Sequence, residues 1–335
     1  MSLLLLEGFD TGDWDERATT ATGIALVTGR TGANAAQINS SGDLLRWTFP
    51  AADEHATFIV GAAILATVSG GTRTGVIALR GDDAATSHLT VDLTSTGQLR
   101  IMRGAVELAI TDPNTVPTGV WTYVELYATL SDTVGVVKLA VNGTTIVNLT
   151  NQDTKNAGTA TVFDTVDFDP SAGDFNYDDV YVANGAGTVN NDLLGDMRVY
   201  AVLPTGNGTH SQMTGSDGNS TDNYLLVDEA TPNDATDWVE GDAAGTKDTY
   251  LFADLPTATG VVRGVEVRAH AAKSDVGDKT VAVVHKQGAV ETVGTAQVLS
   301  TTYDTYPQLW ETDPSDSIAW TVAKVNSSEF GVQAG

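Results

Sequence analysis

The sequence predicts an almost all-β protein made of two antiparallel sandwiches, and three observations predict it. Apolar and polar residues alternate with period 2 along most of the chain, as where Leu89, Val91 and Leu93 alternate with His88, Thr90 and Asp92. No long stretch carries the 3.6-residue apolar period of an amphipathic helix. Gly, Asp and Asn punctuate the chain at roughly the 8–12-residue spacing of sandwich strands.

The elements follow in order. "MSLLLLEGFD" reads as a first strand. Its apolar run is four leucines with no basic residue before it, short of the roughly 7–15 apolar residues of a signal peptide. "LLRWTFP" alternates Leu45, Trp47 and Phe49. "ATFIVGAAILATV" (56–68) is apolar on both faces and suits a strand buried on both sides, with a short helix as the alternative. "HLTVDLT", "QLRIMRG" and "AVELAI" form a meander joined by tight turns. From 120 to 128, Val120, Thr122, Val124, Leu126 and Ala128 share one face, and Trp121, Tyr123, Glu125 and Tyr127 the other. Val137, Leu139 and Val141 form the apolar face of the next strand. Asn142-Gly143 then supplies two residues that tolerate φ > 0, which a type I′ hairpin turn requires. "YDDVYV" (177–182) and "GDMRVYAVLP" (195–204) read as closing strands. Residues 205–223 are polar and Gly-rich and read as a linker or long surface loop. Further strands are expected in "YLLVDE", "DTYLFADL", "VRGVEVRAHAA", "KTVAVVHKQG", "AQVLS" and "EFGVQ". The expected division is a larger domain over 1–205 and a smaller β-sandwich over 206–335.

Composition excludes several function classes. Of 335 residues, 43 are Asp or Glu and 17 Lys or Arg, a formal net charge of −26. That charge repels phosphate backbones and anionic lipid heads, so neither nucleic-acid binding nor membrane insertion is expected. No segment approaches the ~18 apolar residues of a membrane span. With no Cys, disulfides, thiolate metal sites and Cys nucleophiles are absent.

Catalytic signatures are sparse. His55, His88, His210, His270 and His285 are dispersed, and each is expected on the surface or in a turn. No G-x-S-x-G elbow and no P-loop is present. Glycosidases of lectin-like fold carry paired carboxylates on one strand, as in E-x-D-x-x-E. Here Glu125 has no acidic neighbour two residues away. The expectation is therefore a non-enzymatic protein without a cofactor, Ca²⁺ excepted. Asp167, Asp169, Asp174 and Asp178 in "VDFDPSAGDFNYDD" are the candidate Ca²⁺ ligands, since Ca²⁺ takes 6–8 oxygens. The plainer reading is that Asp and Asn form turns. "SDGNSTDN" (216–223) is a second oxygen-rich loop. Trp310, Trp320 and Tyr306 are candidate sugar-stacking rings, with burial in a core as the commoner fate of such residues.

"GVWTYVELYATLSDTVGVVKLAVNG" is similar to the core hairpin of concanavalin A-like and laminin-G-like domains, through Gly119, Trp121, Val124, Gly135, Val137, Leu139, Val141, Asn142 and Gly143. "NYDDVYV" resembles the late strand of those domains and "EGFDTGD" their opening. The resemblance spans about residues 1–205 and implies a jelly-roll sandwich; it carries over no ligand residue. Residues 193–229 and 309–332 resemble segments of tailed-bacteriophage virion proteins that bear a lectin-like domain. That resemblance implies a structural protein of a phage particle, assembled in the host cytoplasm, as a tail appendage or a head decoration or fibre. Its expected partners are other virion proteins and host surface glycans, and its expected state a homo-oligomer, a trimer first. A carbohydrate-binding adhesin and a glycan depolymerase are the rival readings.

Overall fold

The computed structural model describes residues 2–67, 70–82, 84–171, 174–234, 236–257 and 259–335. The chain is 46% strand and 4% helix, an all-β protein. It forms two compact units. One holds residues 1–10 and 17–200; the other holds 11–16 and 201–335.

Unit 1 contains β1 (Leu3–Glu7), β2 (Thr20–Thr22), β3 (Ala25–Thr28), β4 (Asn34–Ile38), β5 (Leu44–Thr48), β6 (Thr57–Ala66), β7 (Arg73–Gly81), β8 (Thr86–Leu93), β9 (Leu99–Arg103), β10 (Val106–Ile110), β11 (Thr122–Thr129), β12 (Gly135–Val141), β13 (Thr144–Gln152), β14 (Thr165–Phe168) and β15 (Phe175–Ala183). They build two antiparallel sheets. The first runs β13-β12-β11-β6-β15-β4-β3, with β1 also paired to β15. The second runs β10-β9-β8-β7-β14-β5-β2. Side chains join the sheets face to face. The Phe168 ring of the second sheet packs 4.6 Å from Tyr177 of the first, whose hydroxyl donates to the Val76 carbonyl of β7 at 3.0 Å. β6 is buried along nearly its whole length, as its apolar run predicts, and the meander β8-β9-β10 forms as expected. Val68, at the end of that apolar run, lies outside the described residues. Asn142 and Gly143 adopt φ 48° and 75°, the left-handed pair of a type I′ turn between β12 and β13.

Unit 2 contains β16 (Pro204–Ser211), β17 (Thr214–Gly215), β18 (Val239–Glu240), β19 (Lys247–Phe252), β20 (Val265–Ala271), β21 (Thr280–Gln287), β22 (Val290–Val293), β23 (Gln297–Val298), β24 (Asp304–Trp310) and β25 (Glu329–Ala334). The main sheet runs β16-β19-β25-β21-β22, with β23 beside β21; β17-β18 and β20-β24 pair separately. His210 on β16 lies 2.6 Å from Glu291 on β22, though these strands end the path. Four inter-strand steps would hold the ends of a flat sheet ~19 Å apart, beyond the reach of two side chains. The sheet is therefore rolled.

Three expectations need correction. Of the closing strand expected over 195–204, residues 195–203 form none, and Pro204 instead opens β16. Residues 205–223 are no linker, because β16 pairs with β19 inside unit 2. "YLLVDE" holds part of a 3-10 helix, Asn223–Leu226, where a strand was expected.

Candidate functional site

A buried polar network lies on the first sheet of unit 1, and a glycine makes room for it. Glu125 on β11 and Tyr181 on β15 both stand opposite Gly61 of β6. A Cβ at Gly61 would stand 2.2 Å from the Tyr181 ring and 2.8 Å from the Tyr123 hydroxyl. With no side chain there, two tyrosines cross β6 in opposite directions. Tyr181 donates to Glu125 Oε1 at 2.6 Å, and Tyr123 donates to the Asp179 carbonyl at 3.0 Å. Burial pushes the Tyr123 phenol well above its ordinary value.

Glu125 is fully buried. Its Oε1 also accepts from the backbone N–H of Leu194 at 2.7 Å and of Gly195 at 2.9 Å. Its Oε2 has no partner among the described residues. Burial pushes this carboxyl up toward its neutral form, against the three donors on Oε1.

A register shift between Asp178 and Tyr181, with Asp179 at φ 53°, brings two carboxylates of β15 together. Asp178 accepts from the N–H groups of Arg30 at 2.7 Å, Thr31 at 2.9 Å and Asp179 at 2.7 Å. Asp179 accepts from Thr31 Oγ1, the Arg30 guanidinium and the Val199 N–H at 2.8–3.1 Å. Burial, and then the charge of Asp179, push Asp178 up to about 7, against its three N–H donors. Burial also raises Asp179. Burial works to raise Asp196 as well, but Arg30 at 2.5 Å and Arg198 at 2.6 Å hold it below its ordinary value.

These groups fasten one piece of chain. Residues 185–200 carry no strand, and their contacts run across this sheet face. Asp192 pairs with Lys138 at 2.8 Å, Leu194 and Gly195 bind Glu125, Asp196 pairs with Arg30, and Val199 binds Asp179. The Lys138 ammonium also sits 4.5 Å over the Tyr127 ring. The network thus anchors an irregular segment by supplying buried acceptors to its backbone N–H groups.

The four candidate Ca²⁺ ligands do not converge. Asp167 is fully buried on β14 between Arg46 of β5, bidentate at 2.6 and 2.7 Å, and Arg80 of β7. Asp178 is held by the three N–H groups just described. Asp174 lies 3.4 Å from Arg73, and burial raises Asp169. Residues 172–173 of this loop lie outside the described residues. No group of three or more His, Asp or Glu among the described residues is arranged to hold a metal.

The candidate sugar-stacking rings are also placed otherwise. Trp320 is 2% exposed, and its Nε1 donates to the Trp310 carbonyl at 3.1 Å. Tyr306 is buried in a cluster with Ala269, Val281 and Val283, and Trp310 packs against that cluster. Trp320 and Tyr306 offer no free ring face, since both are consumed by packing. The histidines need correction too, because His88 and His285 are fully buried.

Sequence reasoning missed Arg30, Arg46, Arg80, Asp179 and Asp196 as members of networks. One signal was available: a lone Glu125 inside a strand of apolar and aromatic residues needs a buried partner.

No family model and no curated protein matches the chain. Among solved structures, Trypanosoma rangeli sialidase matches at 14% identity and TM-score 0.37, covering 53% of this chain and 30% of its own. A native heptameric SAP-like pentraxin from Limulus polyphemus matches at 13% identity and TM-score 0.32, over 44% of this chain and 73% of its own. CG-16, a homodimeric agglutinin from chicken liver, matches at 12% identity and TM-score 0.29, over 42% of this chain and 99% of its own. The sialidases among these matches overturn the expectation of a non-enzymatic protein. The chain spans about a third of the length of the sialidases, and at these TM-scores no activity passes from them to it.

Proposed function

We propose that this protein is a structural component of a tailed-phage particle, a tail appendage or a head decoration or fibre, whose lectin-like unit 1 contacts glycans on the host surface. The observation that supports this reading best is the buried polar network of unit 1. Arg30, Thr31, Tyr181 and the backbone of 185–200 engage the deep carboxylates of the sheet, which suits a rigid part that must outlast its host without disulfides. The resemblance of residues 193–229 and 309–332 to virion segments supports the particle assignment. Symmetric lattices then favour a homo-oligomer.

Immunogold electron microscopy of purified particles, with an antibody to the recombinant chain, tests the reading. Gold over the capsid supports a decoration or fibre, and gold at the tail tip supports host recognition. Unlabelled particles overturn the virion assignment. A glycan array on the same chain tests recognition separately: saturable binding supports it, and release of reducing ends replaces it with a depolymerase.

A further inference from the structure

We propose that unit 2 is an acid-sensitive module: mild acid loosens it around His285 while unit 1 keeps its fold. The His285 imidazole on β21 has no solvent exposure. Its ring lies 5.4 Å from Trp320, 5.4 Å from Phe330 and 6.0 Å from Trp310. Its Nε2 is 3.0 Å from Ser328 Oγ. The Ser328 hydroxyl donates to the Lys324 carbonyl at 2.8 Å, so Ser328 accepts and Nε2 carries the imidazole proton. Nδ1 is then a bare acceptor, with no partner among the described residues.

Protonation at Nδ1 would add a charge and an unsatisfied N–H in a wall of apolar rings. The ring faces attract a cation and offset part of that cost. Little else does. The facing carboxylate, Asp313, is 4.0 Å from Nε2 and not from Nδ1. It already accepts from the Ser315 N–H at 2.8 Å and pairs with Lys324, from the helix Val322–Asn326, at 3.1 Å. Lys324 also pairs with Asp316. On the paired strand β25, Glu329 is engaged by Thr209 and Thr249, and Lys286 beside His285 donates to the Gly288 carbonyl. Burial lowers the pKa of His285, more than Asp313 raises it.

The sign follows. A histidine held below its unfolded value binds fewer protons folded than unfolded. His285 therefore takes stability from unit 2 as pH falls below about 6.5. The other imidazoles of the unit, His210 and His270, each stand beside a carboxylate, Glu291 at 2.6 Å and Asp234 at 2.9 Å. Unit 1 carries the opposite bias. Burial raises Asp178, Asp179 and Glu125, and Asp178, pushed up to about 7, makes folded unit 1 bind an extra proton in the same range. His88 works against that bias: it is fully buried, neither ring nitrogen has a hydrogen-bond partner among the described residues, and it faces Asp82, Asp164 and Lys155.

Hydrogen–deuterium exchange of the full chain from pH 7.5 to 5.0, corrected for the intrinsic rate, tests this. Protection in β21 and β25 should start to fall near pH 6.5 and drop by as much as ~30-fold by pH 5.0, the factor an unfolded histidine gains over that range. Protection in β6, β11 and β15 should hold or rise. His285→Phe should abolish the fall in β21 and β25. Unchanged protection there overturns the proposal. So does a fall that begins only below about pH 4.5, where carboxylates titrate, or an equal fall in unit 1. A folded His285→Phe protein that keeps the full fall overturns it too. If that variant does not fold, the ring ¹³C titration of His285 in the wild type decides: a native midpoint at or above about 6.5 overturns the proposal.

Discussion

Unit 1 and unit 2 are both antiparallel β structures from one acidic chain, yet they bury different things. In unit 1 the residues between the two sheets, among them Phe58, Val60, Leu79, Leu126 and Val166, have no solvent exposure at all. In unit 2 the buried apolar residues are mostly only nearly so: Ala269, Val281 and Leu309 are each 7% exposed and Tyr306 8%. The thinner core leans on polar hubs. Asp248 accepts from the Gln212 and Met213 N–H groups, Asn223 and Tyr250, while His285 sits among three rings. Unit 1 traps carboxyl groups whose neutral form burial favours, and unit 2 traps an imidazole whose neutral form burial favours. The same physics gives opposite responses to acid, because one neutral form carries the proton and the other has lost it.

The sharpest way to break this comparison is to remove a deep charge from unit 1. Asp167→Ala leaves Arg46 and Arg80 facing each other without their carboxylate, and unit 1 should lose about 3–5 kcal/mol. Urea unfolding with exchange read separately in β14 and β21 measures it, and a loss in β21 equal to that in β14 would show that the units do not respond separately. In unit 2, Trp320→Ala removes the largest fully buried side chain and should cost about 3 kcal/mol or more, seen in β21 and β25. The same variant should bind glycans as the wild type does. Lost glycan binding at unchanged fold would return Trp320 to the sugar-stacking role.

A smaller effect lies in a slope. Asp178 titrates at about 7 folded and about 3.8 unfolded, so unit 1 should lose up to about 1.4 kcal/mol per pH unit as pH rises between those values. Asp178→Asn should lower stability overall, since its amide nitrogen faces an N–H donor, and should flatten that slope. A wild-type unit 1 whose stability is level from pH 4 to 7 would show Asp178 to be an ordinary ionised carboxylate. The smallest effect belongs to Lys138→Ala, which releases Asp192 and uncovers Tyr127. The pair is largely solvated, and the change should be under about 1 kcal/mol. Faster proteolysis within 185–200, at unchanged global stability, is the sensitive readout.

Much of the strand order was legible before any coordinates. The meander from β8 to β10, the strands β11 and β12 and the Asn142-Gly143 turn were plain because alternation and positive φ are properties of neighbours in sequence. β16 was hidden because "PTGNGTHS" has neither alternation nor β-branched residues beyond threonine. It is a strand only because β19 pairs with it. The polar network was legible only as a lone Glu125. Its partners Tyr181, Leu194 and Gly195 lie 56 to 70 residues away, and nothing local announces which row of the sheet they share.

By itself the sequence determined an acidic, cysteine-free, antiparallel β chain in two parts, because strand period, turn chirality and charge are written in adjacent residues. Only the tertiary structure decided that Gly61 lets two tyrosines cross, that Asp167 feeds two arginines instead of a cation, and that His285 is sealed. Those outcomes depend on register across strands distant in the chain. A shift of one residue would turn each of these side chains to the other face of its sheet.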